Sequence, residues 1–518
     1  MTLLQRLGDF FTRRVYLSYL TVFIVSVALF TYLQLNPTFA DPDAFYHAKA
    51  ALLLRDRGAI TEFPWLSATT LRYHFIDGHF LYHLILIPFV TLFPPLIGLK
   101  VATIFLTSLA VVTIFWFLRQ LEAKGAFWYA LFLLTVAPFI FRISLAKAQA
   151  LVLILLYVSL YFLLRRYYLA FLVAVFFYVW LYAGWPLVVV FTLLYLLVSL
   201  PQLKRSKDWA SLLRLDHSLI RHVLRLGLVL VLGVGLGLVL SPYFAKNFYF
   251  YWQQSFQIAV VNYQYLIGVG GEWYPYPIVE LLTAAAPFFV LFNAAMVVFV
   301  VTYRKQPVDS RLFFIASLLF FALTLKSRRN VEYLVPLVVT FAALTFRSAT
   351  AMIKSWFGAA RRPAALSLII LLLAALFASY RYVAEVKESM RNGFRFDKFA
   401  EPSQWLETHT PPGSIVFHSD WDEFPLLFYH NDHNYYIVGL DPTFMYNHDP
   451  DLYRRWVDIT TGRSSENLAE TIGTLFGARY VFVDITSNQT FDRNLAQSAD
   501  FKEVFSNHEA RIYEVGTQ

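Results

Sequence analysis

Hydrophobic positions in this chain come in long blocks, separated by short charged or proline-bearing breaks, as far as residue 382, and in short alternating runs beyond residue 391. A bilayer-crossing helix needs roughly 20 apolar residues, so the blocks predict about eleven spans. They cover 15–35, 96–118, 127–141, 148–164, two spans within 169–200, then 226–240, 278–301, 312–325, 331–346 and 364–382. Between them, 36–95 and 241–277 are too long and too polar for turns and predict two large loops. Within the first loop, 79–93 is apolar but short, which predicts a re-entrant or interfacial helix. Beyond residue 391, strand patterns at 414–417, 435–438 and 480–484 alternate with helical patterns at 450–458 and 466–476. The expected architecture is a polytopic α-helical membrane domain over 1–390, followed by a small α/β domain over 391–518.

Charge then supplies an orientation. Arg6, Arg13 and Arg14 precede the first block, Arg119 and Lys124 follow the second, and 204–225 carries Lys204, Arg205, Lys207, Arg214, Arg221 and Arg225. Short basic loops stay on the cytoplasmic side. The N-terminus is therefore expected inside, with both large loops and the C-terminal domain extracytoplasmic, in the plasma or inner membrane. The first block is too long for a cleaved signal peptide and no small-residue cleavage site follows it, so it reads as an anchor. Lys326, Arg328 and Arg329 break the pattern, because they fall on the outer side at the end of a span. Basic side chains there either snorkel to the interface or meet an anionic ligand.

With 58% apolar and 15% charged residues among 518, an ordinary soluble domain is excluded. The net charge of +9 is accounted for by the basic loops, so no nucleic-acid partner is expected. The absence of cysteine excludes disulfides, thiolate catalysis and thiolate metal sites.

The first block ends at Asn36-Pro37, and Phe39-Ala40-Asp41-Pro42-Asp43-Ala44-Phe45-Tyr46-His47 follows. Asp41 and Asp43 are thereby expected in irregular backbone at the membrane surface, where a carboxylate meets both water and a lipid headgroup. The plainer reading makes Asp43 the N-cap of a helix running to Leu54, with Asp41 solvated. Phosphate recognition needs fixed positive donors, and sugar transfer needs a carboxylate to deprotonate or orient the acceptor. The outer basic cluster and the Asp pair supply both, and Arg72, His74, Asp77 and His79 in the first loop are candidate substrate-lining residues.

Asp41-Pro42-Asp43, Ser327-Arg328-Arg329-Asn330 with Tyr333 and Pro336, and Ser419-Asp420-Trp421-Asp422-Glu423 together resemble the GT-C superfamily of membrane glycosyltransferases. Within it the layout is most similar to the oligosaccharyltransferase catalytic subunit and its bacterial relatives. The resemblance implies an acid in the first loop that is catalytic or binds metal, falling on Asp41 or Asp43. It also implies a donor-phosphate arginine, Arg328 or Arg329, and an acceptor-reading motif at Trp421 and Asp422. Trp421 has a plainer reading too, as part of a core face with Phe424 and Leu427, Asp422 capping the helix.

The stretch matching the family's second acidic motif reads Arg142-Ile143-Ser144-Leu145-Ala146-Lys147-Ala148-Gln149, with Lys147 and Gln149 where acids are expected. A divalent cation such as Mg or Mn needs several carboxylates. Asp43 would then require a replacement partner, Glu272 or Glu280, unless Lys147 supplies the positive charge directly. The function expected is transfer of a sugar or oligosaccharide, with inversion, from a polyprenyl-phosphate or -diphosphate donor to a protein, lipid or glycan acceptor. A transporter that binds polyprenyl phosphates without bond chemistry, and a non-catalytic family member, are the alternatives.

Overall fold

The computed structural model describes residues 14–203, 217–261, 263, 266–350, 377 and 380–516. The expected last span, 364–382, lies almost wholly outside them, as does most of the basic stretch 204–225. The chain forms two compact units, one of residues 1–36, 100–241 and 272–392, the other of 37–99, 242–271 and 393–518.

The first unit is helical, and among the described residues six helices are long and apolar enough to cross a membrane. They are Val15–Gln34, Pro95–Gln120, Ile220–Val239, Ala286–Lys305, Val308–Lys326 and Arg328–Ser348. Their burial is that of a multi-pass membrane protein. In Val15–Gln34 the small polar Ser18 and Ser26 are buried with Val22 and Phe30, while Leu20, Ile24 and Val25 are exposed. Small residues let helices approach closely, and lipid is as good a solvent for leucine as another helix is. The central helix Val331–Ser348 has every residue from Val331 to Thr345 buried.

Local chemistry interrupts several blocks that hydropathy reads as continuous. The expected span 127–141 is a bent pair, Ala126–Leu133 and Ala137–Ser144, with 71° between them. Val136 is extended and Pro138 lies in the first turn of the second helix. Proline is tolerated there because it lacks only an amide that would be unpaired anyway. The blocks 148–164 and 169–200 become helices of 17, 14 and 18 residues, Gln149–Arg165, Tyr168–Leu181 and Pro186–Leu203. By length and composition the described residues therefore give six spans, or seven counting the bent pair, against the eleven expected over the whole chain.

The second unit is built on a five-stranded sheet ordered β4-β3-β5-β7-β6. Strands β3 (Ile415–His418), β4 (Tyr435–Tyr436) and β5 (Tyr480–Asp484) run parallel, while β7 (Ala510–Val515) is antiparallel to both β5 and β6 (Phe501–Ser506). All five residues of β5 are buried, as the apolar run at 480–484 predicts. Strands β6 and β7 escape the local pattern because they carry charges, Lys502 and Glu503 on exposed positions and Arg511 and Glu514 on partly exposed ones.

Periodicity places a boundary near 391, but hydrogen bonds between distant segments tie 37–99 to the C-terminal part. Strand β1 (Thr38–Phe39) pairs with β2 (Phe394–Arg395), and Leu66 bridges to Tyr436. Gly393 makes the first pairing possible. A Cβ there would stand 2.1 Å from the carbonyl oxygen of Phe39.

Candidate functional site

The restarted helix Ala137–Ser144 carries Arg142 into the interior of the first unit, where it is 3% exposed. A guanidinium cannot be neutralised by deprotonation, so burial demands anionic partners. Arg142 Nε and Nη2 both donate to Oε2 of the fully buried Glu332, at 3.1 and 3.0 Å. Its remaining edge, Nη1, donates to Oε2 of Glu272 at 2.7 Å. Two more cations converge on Glu272. Arg329 Nη1 lies 3.3 Å from Oε1 and Lys147 Nζ 3.9 Å from Oε2. Burial alone would push the Glu272 carboxyl up, but Lys147, Arg329 and Arg142 together hold it well below the usual carboxylate range.

Arg329 is fixed further by donating Nη2 to the Tyr182 hydroxyl at 2.6 Å and by lying over the Trp273 ring at 4.2 Å. Its neighbour Arg328 does different work. It donates to the carbonyls of Tyr274 and Pro275 and lies over the Tyr276 ring, while Ser327 Oγ donates to the Glu272 carbonyl. Arg328, expected at a donor phosphate, is thus a clasp that holds 272–277 against the end of Val308–Lys326. Lys326 is exposed, and Tyr333 is buried against Phe320. Around the cluster, Glu332 Oε1 and the hydroxyls of Tyr178, Tyr333 and Ser144 make no hydrogen bond to another protein group.

In the second unit Asp41 and Asp43 sit at the start of the helix Asp43–Arg57. The capping role expected of Asp43 falls to its neighbour. Asp41 Oδ1 accepts the Asp43 amide at 3.0 Å, which leaves the Asp43 carboxylate in the first helical turn, where it suits the helix dipole. One turn on, buried His47 Nδ1 lies 2.8 Å from His83 Nε2, and His83 Nδ1 lies 2.7 Å from Asp77 Oδ2. Asp77 Oδ1 also accepts the His79 amide at 2.9 Å. Burial opposes ionisation of Asp77, yet His83 and His79 keep its carboxyl below the usual range. Of the four expected lining residues, Asp77 and His79 join this group. His74 is exposed, and Arg72 reaches the Ser67 carbonyl at 3.4 Å and stacks on Tyr73.

Trp421 and Asp422 lie in the short 3-10 turn Trp421–Glu423, both partly exposed. Asp420 caps this turn and Glu423 closes a capping box with it. Asp422 is therefore not the cap, and Trp421 is partly exposed whereas Phe424 and Leu427 are fully buried.

Among the described residues no three His, Asp or Glu side chains come together in a way that could hold a metal ion. Glu272, raised as a replacement ligand beside Asp43, has its two oxygens facing Arg142 and Arg329 and serves as a counter-ion. Sequence reading missed Arg142 and Glu332 altogether. It also left His47 without a role inside the quoted motif, and His83 lay hidden in an apolar segment. The available signals were an arginine at the end of one apolar block, a glutamate inside another, and the four-residue spacing of His79 and His83.

No family model matches this chain, and no curated protein matches it in sequence. Solved structures do. The oligosaccharyltransferase AglB from Archaeoglobus fulgidus, in complex with an inhibitory peptide and a dolichol-phosphate, aligns at TM-score 0.63 and 13% identity, over 90% of this chain and 69% of its own. ArnT from Cupriavidus metallidurans, bound to undecaprenyl phosphate, aligns at TM-score 0.54 and 15% identity, over 98% of this chain and 100% of its own. Arabinofuranosyltransferase AftD from Mycobacteria aligns at TM-score 0.56 and 15% identity, over 96% of this chain but 40% of its own.

Proposed function

We propose, from the GT-C fold that this chain shares with those glycosyltransferases, that it transfers a sugar from a polyprenyl-phosphate or -diphosphate carrier to an acceptor. The observation that carries the reading is the Glu272 carboxylate held among Arg142, Arg329 and Lys147. Three cations fixed around one anion, in a helical membrane unit, make a receptor for an oxyanion whose lipid tail stays in the bilayer. With Glu332 retained, exchanging Glu272 for a phosphate carrying two negative charges balances the cations. Arg forks and an ammonium are the donors that suit such a group.

In this reading the acceptor attacks the anomeric carbon as the carbon–oxygen bond to phosphate breaks. The leaving polyprenyl phosphate gathers negative charge, which Arg142, Arg329 and Lys147 stabilise. The proton displaced from the acceptor passes to a carboxylate, the role given to Asp41 and Asp43. Attack opposite the leaving group inverts the anomeric configuration. Trp421 and Asp422 are assigned to the acceptor, and the reaction to the extracytoplasmic side.

The test is a transfer assay on purified protein in lipid nanodiscs with a panel of polyprenyl-linked sugars. Asp41→Asn and Asp43→Asn, made separately, are expected to remove transfer while the protein stays folded, and Arg329→Ala to raise the KM for donor. Full activity in both aspartate variants overturns the assignment. Donor that binds while its glycosidic linkage stays intact would identify a lipid-handling protein instead.

A further inference from the structure

His47, His83 and Asp77 form a continuous hydrogen-bonded chain, at most 8% exposed at any member. Nothing in folding requires two imidazoles and a carboxylate to be buried in series. Each polar group removed from water costs free energy unless it is paired, and an apolar set of similar size would fill the same space. The chain also has a direction. Asp77 fixes the His83 proton on Nδ1, so Nε2 faces His47 Nδ1, and one proton is shared along that contact. His47 lies four residues after Asp43 on the same helix. Residues four apart share a helix face, so His47 and Asp43 lie on the same face of that helix, one turn apart.

We propose that His47, His83 and Asp77 are a buried proton relay serving the carboxylate of Asp43. The proposal rests on the glycosyl-transfer reading above. The proton leaves the acceptor for the Asp43 carboxylate as the new glycosidic bond forms. It passes to His47, while the proton on His47 Nδ1 moves to His83 Nε2. The resulting imidazolium is held by Asp77, and the proton returns by the same path when product leaves. His47, His83 and Asp77 act through Asp43 and are positioning residues. The other titratable groups facing them are His79 and Tyr82, whose rings lie 5.2 and 5.3 Å from His47. Tyr46, Tyr243 and Tyr251 also face Asp77. On the helix's other side Phe45 meets His430 and Lys49 pairs with Asp432, outside the chain.

The experiment measures kcat against pH, with the KM for donor, for wild type, Asp77→Asn, His83→Gln and His47→Gln in nanodiscs, alongside nitrogen-15 histidine spectra of the same samples. Asp77→Asn removes the carboxylate that lies 2.7 Å from His83 Nδ1 and holds the imidazolium formed in the relay. Its low-pH limb is therefore expected to move to lower pH, with kcat down about tenfold, a fraction of the usual general-base contribution, and an unchanged KM for donor. The spectra should show the hydrogen-bonded His47–His83 pair in wild type, with His83 protonated on Nδ1, and loss of that signature in Asp77→Asn. His47→Gln keeps the relay testable if Asp77→Asn does not fold, because it too should lose the paired signature and shift the limb. Wild-type protein that transfers no sugar removes the glycosyltransferase reading, and with it the relay's task. Wild-type transfer with unmoved pH limbs in the folded variants overturns the relay alone.

Discussion

Arg142 sends two guanidinium nitrogens to a single oxygen of Glu332, at 3.1 and 3.0 Å, although the two residues stand 190 positions apart in the chain. Breaking a buried pair from one side leaves a charge stranded, which typically costs about 3–5 kcal/mol, whereas replacing both partners by apolar groups is often close to neutral. Arg142→Met is therefore expected to lower the unfolding temperature sharply. Arg142→Met with Glu332→Leu should recover much of the loss, the remainder being Glu272. Thermal unfolding in detergent reads both, and a double variant no better than the single one would show that the pair does not act as a unit.

Glu272 occupies the place assigned to the donor phosphate, so it competes with it. Glu272→Gln keeps the shape and removes the charge. The KM for donor is expected to fall several-fold, on the order of the 1 kcal/mol of a partly screened charge contact. A raised KM would mean that Glu272 orders the cations and does not compete for them.

Burial pushes the His430 imidazole down to about 4, against the opposing influence of the Phe396 backbone and Asp397. Its ordinary value is about 6.5. Between those values the unfolded chain holds a proton that the folded one lacks, so stability is full above pH 6.5 and declines as pH falls toward 4. The slope is about 1.4 kcal/mol per pH unit and the whole loss roughly 3 kcal/mol. Denaturant unfolding at stepped pH should show this decline, and His430→Gln should flatten it.

Gly393 and Gly473 make a matched pair of alanine substitutions. At Gly393 a Cβ meets backbone, 2.1 Å from Phe39 O and 2.8 Å from Ala40 Cα, in the β1–β2 pairing. At Gly473 the nearest neighbour is Val515 Cγ1 at 3.9 Å. Overpacking against atoms that cannot rotate away costs about 1–3 kcal/mol. Gly393→Ala should therefore sensitise residues 37–99 and the C-terminal part together to protease, while Gly473→Ala leaves the protein as it was.

Taken alone, the order of residues determines that this is a membrane protein with a sheet-bearing C-terminal part. Both follow from local patterns, apolar blocks such as 312–325 and the strand at 480–484, which fold as read because a span or a buried strand is set by its own side chains. The start of a helix at Asp43 is legible for the same reason. The break before Pro138 was written in the sequence as well, but hydropathy outweighed one proline.

Only the tertiary structure decided which charges meet. Arg142 with Glu332 and Glu272, and His47 with His83 and Asp77, are pairings across 190, 130, 36 and 6 positions. A buried ion or imidazole chooses partners by what packing leaves within about 3 Å, and spacing along the chain does not encode that distance. The same holds for β1 and β2, whose backbone hydrogen bonds join residues 38–39 to 394–395 without any signal in the side-chain pattern.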